Sequence, residues 1–242
     1  MPRTAIVTGA SRGIGAAIAE RLGQDGFSVV VNYAGSEGEA TALVSKIKAG
    51  GGTAIAAKAD VSKPEEVVRM FDTAEKELGG VDVLVNNAGI MKLSSIAAAD
   101  DAMFDGLVAV NLKGTFNGMR EAAKRLRNGG RIVNFSTSVI GLRLETYGIY
   151  SATKSAVETL TAILSKELRG RSITVNAVAP GPTATDLFLQ GKSQELIDRM
   201  AKMNPLERLG TPQDIAAVVS FLSGPDGAWV NGQVLRTNGG MI

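Results

Sequence analysis

Cysteine and histidine are both missing from this 242-residue chain. Without cysteine there is no disulfide, no thiolate metal ligand and no thiol nucleophile. Without histidine there is no Ser-His-Asp triad, no imidazole base and no His-ligated metal, so no metal site is expected. Acid–base chemistry is left to Tyr, Lys and carboxylates. A charge excess is missing too: 26 Lys and Arg against 24 Asp and Glu leave a net charge of +2, with no dominant basic surface for nucleic acid. No apolar run approaches the ~18 residues of a membrane span. The first strand-like run, Thr4-Ala5-Ile6-Val7, leaves no room for a signal peptide, and the chain reads as cytoplasmic. Tryptophan occurs once, as Trp229, and is expected in the core or at a subunit interface.

What is present is a regular alternation. Short apolar runs at Ala5–Val7, Ser28–Asn32, Thr53–Ala57, Val81–Val85, Arg131–Phe135, Ile173–Val178 and Gln233–Arg236 read as strands. Amphipathic stretches lie between them: Gly15–Asp25, Glu37–Ala49, Pro64–Leu78, Asp101–Arg127, Tyr150–Leu168 and Pro212–Leu222. This spacing predicts an α/β fold, one doubly wound Rossmann-type domain over 1–242. Its sheet should have about seven parallel strands, buried on both faces and covered by helices on both sides. The one irregular stretch, 186–209 with its amphipathic piece Gln194–Met203, reads as a substrate lid.

Glycine is abundant, at 29 residues, and part of the excess sits in Thr8-Gly9-Ala10-Ser11-Arg12-Gly13-Ile14-Gly15, directly after the first strand. Glycines there allow a tight turn and close approach of backbone to a pyrophosphate, which the N–H groups and dipole of the following helix attract. An ordinary strand-to-helix turn is the bland alternative. Its place after strand one of a doubly wound chain favours dinucleotide binding through Gly9, Ser11, Arg12, Gly13, Ile14 and Gly15.

Four motifs then fall in register. Thr8–Gly15, Asn86-Asn87-Ala88-Gly89, Tyr150-x-x-x-Lys154 and Pro180-Gly181 occur in the order found in short-chain dehydrogenases/reductases, and the chain resembles that family down to Asn238-Gly239-Gly240. It is most similar in pattern to members such as the 3-oxoacyl-[acyl-carrier-protein] reductases. The resemblance implies a nicotinamide cofactor and a homotetramer. Strand two ends Asn32-Tyr33-Ala34-Gly35-Ser36, where Asn32, Tyr33 and Ser36 are expected to contact the cofactor, without the carboxylate that holds the ribose hydroxyls of NAD. Arg12 is placed to meet a 2′-phosphate with the Ser36 hydroxyl beside it, so NADP(H) is expected rather than NAD(H). By resemblance, Asp60 and Val61 flank the adenine, and Asn86, Ala88 and Gly89 line its ribose side. Pro180 and Gly181 should lead a segment that covers the nicotinamide, with the Thr183 backbone donating to the carboxamide and the Thr185 hydroxyl reaching the phosphates.

Tyr150 and Lys154 are one helical turn apart on the same face. An adjacent ammonium favours the phenolate and is expected to lower the Tyr150 pKa, making it a proton donor to the alkoxide formed by hydride delivery. Tyr147 has Ser151 one turn on and lacks such a neighbour. The family pattern also needs a hydroxyl after strand five to polarise the carbonyl. Ser136, Thr137 and Ser138 compete for this place; Ser138 fits best, because Ser138-Val139-Ile140-Gly141 resembles the family's Ser-x-x-Gly segment. Asn111 matches the fourth catalytic position, an Asn that distorts a helix and holds a water linking the Lys to solvent.

Lid residues Leu187, Phe188, Leu189, Leu196, Ile197, Met200 and Met203 are expected to wall an apolar pocket with Ile140, Leu142, Leu144, Tyr147, Met91 and Leu93. Arg120, Lys124, Arg125, Arg127, Arg169 and Arg171 form a candidate patch for an acidic acyl carrier protein, or only a solvated face. The leading expectation is an NADPH-dependent carbonyl reductase, 3-oxoacyl substrates included. The alternatives are an NAD(P)-dependent dehydrogenase of a sugar or secondary alcohol, and a non-catalytic nucleotide-sensing protein.

Overall fold

The structure, a computed structural model, describes residues 2–242, with Leu187 described by its backbone alone. Seven parallel strands form one sheet in the order β3-β2-β1-β4-β5-β6-β7. They are β1 (Thr4–Val7), β2 (Ser28–Tyr33), β3 (Thr53–Lys58), β4 (Val83–Asn86), β5 (Arg131–Phe135), β6 (Thr174–Pro180) and β7 (Val234–Thr237). The helices are α1 (Gly13–Gln24), α2 (Glu37–Ala49), α3 (Pro64–Leu78), α4 (Asp101–Leu107), α5 (Thr115–Arg125), α6 (Val139–Leu142), α7 (Gly148–Glu167), α8 (Asp186–Leu189), α9 (Gln194–Lys202) and α10 (Pro212–Ser223). This is the Rossmann-like architecture expected from the alternation.

Period-two side-chain direction explains why the strands are apolar throughout. Val29, Val31, Val83, Val85 and Val133 face α1, α2 and α10, where they meet Ile18, Leu22, Val44 and Leu222. Val30, Leu84 and Ile132 face the other way, onto Phe71 and Met70 of α3 and Met119 of α5. Local signals set the helix ends. Pro64 opens α3 and Gly79, left-handed at φ 80°, closes it. Thr211 and Asp214 form a reciprocal capping box at α10, and the Arg208 guanidinium beside Asp214 holds that carboxyl below its usual range.

Two expectations about this frame need correction. The stretch 101–127 is not one regular helix: between α4 and α5, residues Val108–Gly114 are π-helical. Trp229 does not belong to the core, since it is 98% exposed. Strand order reverses between β1 and β4, which opens a crevice at the C-terminal ends of these strands. Every motif singled out above gathers around that crevice except the basic cluster.

Candidate active site

The glycine loop is built by backbone contact. Gly9 has φ +61°, and a Cβ there would lie 2.9 Å from Ala88 Cα; a Cβ on Gly15 would lie 2.4 Å from the Gly9 carbonyl oxygen. Thr8 and Asn87, to which sequence reasoning gave no role, clamp this arrangement. The Thr8 hydroxyl accepts from the N–H groups of Asn87 and Ala88, each at 3.0 Å. Asn87 Nδ2 donates to the carbonyls of Thr8 at 2.9 Å and Gly9 at 3.1 Å. Helix α1 starts with no side-chain cap and no acidic residue in its first turn, so its leading N–H groups face the crevice. Arg12 is exposed, and its guanidinium has no ion pair among the described residues. Across the crevice, Thr185 Cγ2 would lie 3.6 Å from a Cβ on Gly13, so the loop and the segment after β6 face each other. The Thr185 hydroxyl caps α8 by accepting from Phe188 N–H. These groups fit a dinucleotide pyrophosphate.

Several expected contacts turn out to be internal. Asn32 is fully buried: its Oδ1 accepts from Gly9 N–H at 3.0 Å, and its Nδ2 donates to the carbonyls of Ala57 at 3.1 Å and Ala59 at 3.0 Å. It shapes the loop from behind. Tyr33 is buried as well, and burial together with the Glu37 carboxylate, to which it hydrogen-bonds, raises its phenol. Asn86 points into the core, donating to Asn134 Oδ1 at 2.8 Å and filling the space beside Gly118. Val61 packs on Gly114, and half-buried Asp60 accepts from the N–H and hydroxyl of Ser62 through Oδ1. For Asn32, Tyr33 and Asn86 the strand end turns the side chain inward, where a polar group must find a partner.

Lys154 does come together with Asn111, and Tyr150 lies one turn before Lys154 on α7. Lys154 Nζ donates to the Phe135 carbonyl at 2.9 Å. A Cβ on Gly89 would lie 3.3 Å from Asn111 Oδ1 and 3.6 Å from Lys154 Nζ, which puts these groups at one point of the crevice floor. The π-helical turn carries Asn111 there. Its side chain accepts from Ile90 N–H at 2.8 Å and donates to Ile90 O at 2.9 Å. The expected electrostatics need correction. Burial pushes the Tyr150 phenol up to about 12, against a lowering hydrogen bond from Thr137 and a further rise from Tyr147. Burial alone pushes Lys154 down to about 8. Desolvation sets both directions, because both side chains are shielded from water. At neutral pH the pair is therefore a neutral phenol beside a cation, the form a proton donor needs.

Counting donor hydrogens decides among the three hydroxyls. Ser136 donates to Glu158 Oε1 at 2.5 Å. Ser138, 2% exposed, donates to the Ala179 carbonyl at 2.9 Å and accepts from Asn238 Nδ2 at 3.0 Å. A hydroxyl has one hydrogen to give, and both serines have given theirs. Thr137 accepts from Val139 N–H at 3.3 Å and keeps its hydrogen for Tyr150 or for a molecule bound beside it. The expectation placed on Ser138 therefore moves to Thr137. Tyr147 meets Tyr150 edge-on, with ring centroids 6.4 Å apart, and forms a wall beside it.

Next to the two tyrosines the crevice is apolar. Ser94 N–H donates to Thr146 O at 3.1 Å, which joins the Met91–Ile96 segment to Leu144–Tyr147, and Ile96, 81% exposed, lies over Gly148. The lid helix α9 has no buried residue, leaving Leu196 exposed. The Leu187 side chain lies outside the described residues. The basic cluster, by contrast, is largely neutralised. Arg125 pairs with Asp72 and Glu75 at 2.6 Å, Arg127 with Asp82 at 2.7 Å, and Arg120 and Lys124 share Glu121. Arg171 donates to the carbonyls of Ala123 and Leu126 that end α5. Among the described residues Arg169 and Arg171 pair with no carboxylate. Among the described residues no group of His, Cys, Asp or Glu is placed to hold a metal ion, and no helix is long and apolar enough to cross a membrane.

Known proteins share this arrangement. Residues 9–242 match a family model described as enoyl-(acyl carrier protein) reductase. A short-chain type dehydrogenase/reductase from Picea abies is 46% identical over 99% of this chain and 92% of its own length. The NADPH-dependent aldehyde reductase 2, chloroplastic, of Arabidopsis thaliana is 44% identical over 99% of this chain and 94% of its own. Among solved structures, a short chain dehydrogenase from Burkholderia cenocepacia J2315 in complex with NADP aligns with a TM-score of 0.94 at 37% identity, covering 99% of this chain and 97% of that one.

Proposed function

This chain belongs to the short-chain dehydrogenase/reductase family, and from that premise we propose that it reduces a ketone or aldehyde to an alcohol, with Tyr150 as the proton donor and Thr137 as the carbonyl-polarising hydroxyl. The observation that carries the reading is the buried Tyr150 phenol beside Thr137, the one hydroxyl of its segment not bonded to Glu158 or to the Ala179 carbonyl. NADP(H) is the cofactor, supported by the NADP-bound neighbour and the NADPH-dependent relative. When bound, it supplies the hydride. Lys154 would hold the nicotinamide ribose, and Asn111 would hold a water that connects Lys154 to solvent. Pro180, Gly181, Thr183 and Thr185 would cover the cofactor from the β6 side.

The apolar walls around Ile96, Leu144 and α9 favour a hydrophobic ketone or an acyl chain, 3-oxoacyl thioesters included, over a polyol. NADPH consumption on β-ketoacyl thioesters, aryl ketones, ketosugars and an enoyl thioester tests this. Turnover of the enoyl thioester alone would move the reaction from C=O to C=C. A protein without turnover on any of them would be a nucleotide sensor.

Cofactor choice rests on Arg12. Replacing it with Ala should raise the KM for NADPH about 10- to 100-fold, the worth of a charge-assisted bond to phosphate, and leave NADH kinetics unchanged. Equal losses with both cofactors would place Arg12 away from the 2′-phosphate. We also propose assembly as a homotetramer. The neighbouring helices α4, α5 and α7 expose Phe104, Phe116 and Ile163, β7 is an edge strand, and Trp229 stands clear of its own protomer. Such surface is usually covered by a partner. Light scattering should give about four times the 25.1 kDa protomer mass; a monomer at micromolar concentration would refute assembly.

A further inference from the structure

The hydrogen bonds that remove Ser138 from direct chemistry give it another task. Its N–H donates to Pro180 O at 2.9 Å and its hydroxyl to Ala179 O at 2.9 Å, so the turn that leaves β5 is tied to the end of β6 by backbone and side chain together. The third bond is the long-range one: Asn238 Nδ2 donates to Ser138 Oγ at 3.0 Å, across 100 residues of chain. Asn238 is buried and is itself held, since its Oδ1 accepts from Gly240 N–H at 3.0 Å. Its Cα lies 2.8 Å from where a Cβ on Gly181 would be, and the Ile242 side chain covers Gly141. Residues 238–242 thus form a strap laid across the Thr137–Gly141 turn. Where the strap passes the base of the lid, Gly239 abuts Asn204 and Gly240 abuts Pro205.

We propose that Ser138 and Asn238 are a positioning pair, which fixes the Thr137 hydroxyl against Tyr150 by pinning the backbone one residue beyond it. The inference rests on Thr137 being the carbonyl-polarising hydroxyl. The physical need is plain. Thr137 lies where the chain leaves the sheet and turns, with Ser138 in the right-handed helical region at φ −67° and ψ −16°. Beyond Phe135 its backbone is held through its two neighbours, Ser136 N–H to Val178 O at 2.8 Å and Ser138 N–H to Pro180 O at 2.9 Å. Displacing a catalytic group by about 1 Å can cost about a hundredfold in rate. Neither member of the pair touches the reacting atoms, so each acts through Thr137.

A double-mutant cycle reads this directly. Thr137→Ala should lower kcat on an accepted ketone by about 10²–10³, as for loss of a donor to a developing oxyanion, while Thr137→Ser keeps most of it. Ser138→Ala and Asn238→Ala should each lower kcat about tenfold, with KM for NADPH within twofold of wild type. In the Thr137→Ala background, Ser138→Ala and Asn238→Ala should cause no further loss, because the hydroxyl they position is gone. Melting curves identify variants that fail to fold, and the two positions give independent cycles if one is lost. The same fold loss in both backgrounds would make the pair a stability element and overturn the proposal. A larger loss for Ser138→Ala than for Thr137→Ala would overturn it in the other direction, by making Ser138 the carbonyl donor. Wild-type protein inactive on every carbonyl compound would instead bring down the reductase reading, and the pair with it.

Discussion

Tyr150→Phe should lower kcat by about 10²–10⁴, or about 3–5 kcal/mol in the barrier, and leave NADPH affinity near wild type. The loss is expected in turnover alone because the proposed role of the phenol is to supply a proton, whereas the proposed cofactor contacts are the glycine loop, Arg12 and Lys154. Tyr147→Phe should stay within a small factor, since that ring only packs edge-on against Tyr150. Lys154→Ala should cost both turnover and affinity. The pH dependence follows from burial. Tyr150 keeps its proton up to about 12 in the free protein, so the donor itself imposes no fall in the reductive rate across the neutral range. Lys154 loses its charge near 8, so NADPH binding should weaken as pH rises through that value. Single-turnover NADPH oxidation and fluorescence titration separate the two effects. Near-normal turnover in Tyr150→Phe, or collapse in Tyr147→Phe alone, would mean the wrong tyrosine has been chosen.

Asn32→Asp should destabilise the protein by about 3–5 kcal/mol, a large part of the ~5–15 kcal/mol that holds a domain folded. By position, at the end of strand two, the change looks like a switch toward NADH. The structure makes it a buried charge. Asn32 Nδ2 donates to the carbonyls of Ala57 and Ala59, and a carboxylate oxygen in its place would face two other oxygens with no hydrogen between them. The sign of the pH effect is definite. Burial raises the folded-state pKa of this Asp above its unfolded value near ~4, so the penalty is small near that pH. It then grows as pH rises, until the buried acid itself ionises. Urea unfolding at pH 5 and pH 8 should show the larger deficit at pH 8, with the preference for NADPH over NADH unchanged in whatever protein folds. A variant of normal stability that prefers NADH would show that residue 32 faces the ribose after all.

Much of this molecule is legible in local pattern. Strands buried on both faces must be continuously apolar, and helices between them must be amphipathic, so the seven strands appear in the sequence with ends displaced by no more than about two residues. Pro64 and the capping residues mark helix ends by chemistry confined to one turn. The glycine loop and the Tyr150–Lys154 spacing are equally local. Side-chain commitments at the strand ends are different in kind. Whether Asn32 faces a ribose or the back of a glycine loop depends on carbonyls from β3. The π-helical turn around Asn111 is held by Ile90, and the neutrality of the basic cluster depends on acids from α3. Ser138 resembles the reacting hydroxyl in its own tripeptide, yet its one hydrogen belongs to Ala179 and its lone pair to Asn238. A sequence shows which residues own a donor. Only folding, by bringing together groups 100 or more residues apart, settles which donors are already used, and here that leaves Thr137 as the hydroxyl not bonded to Glu158 or Ala179.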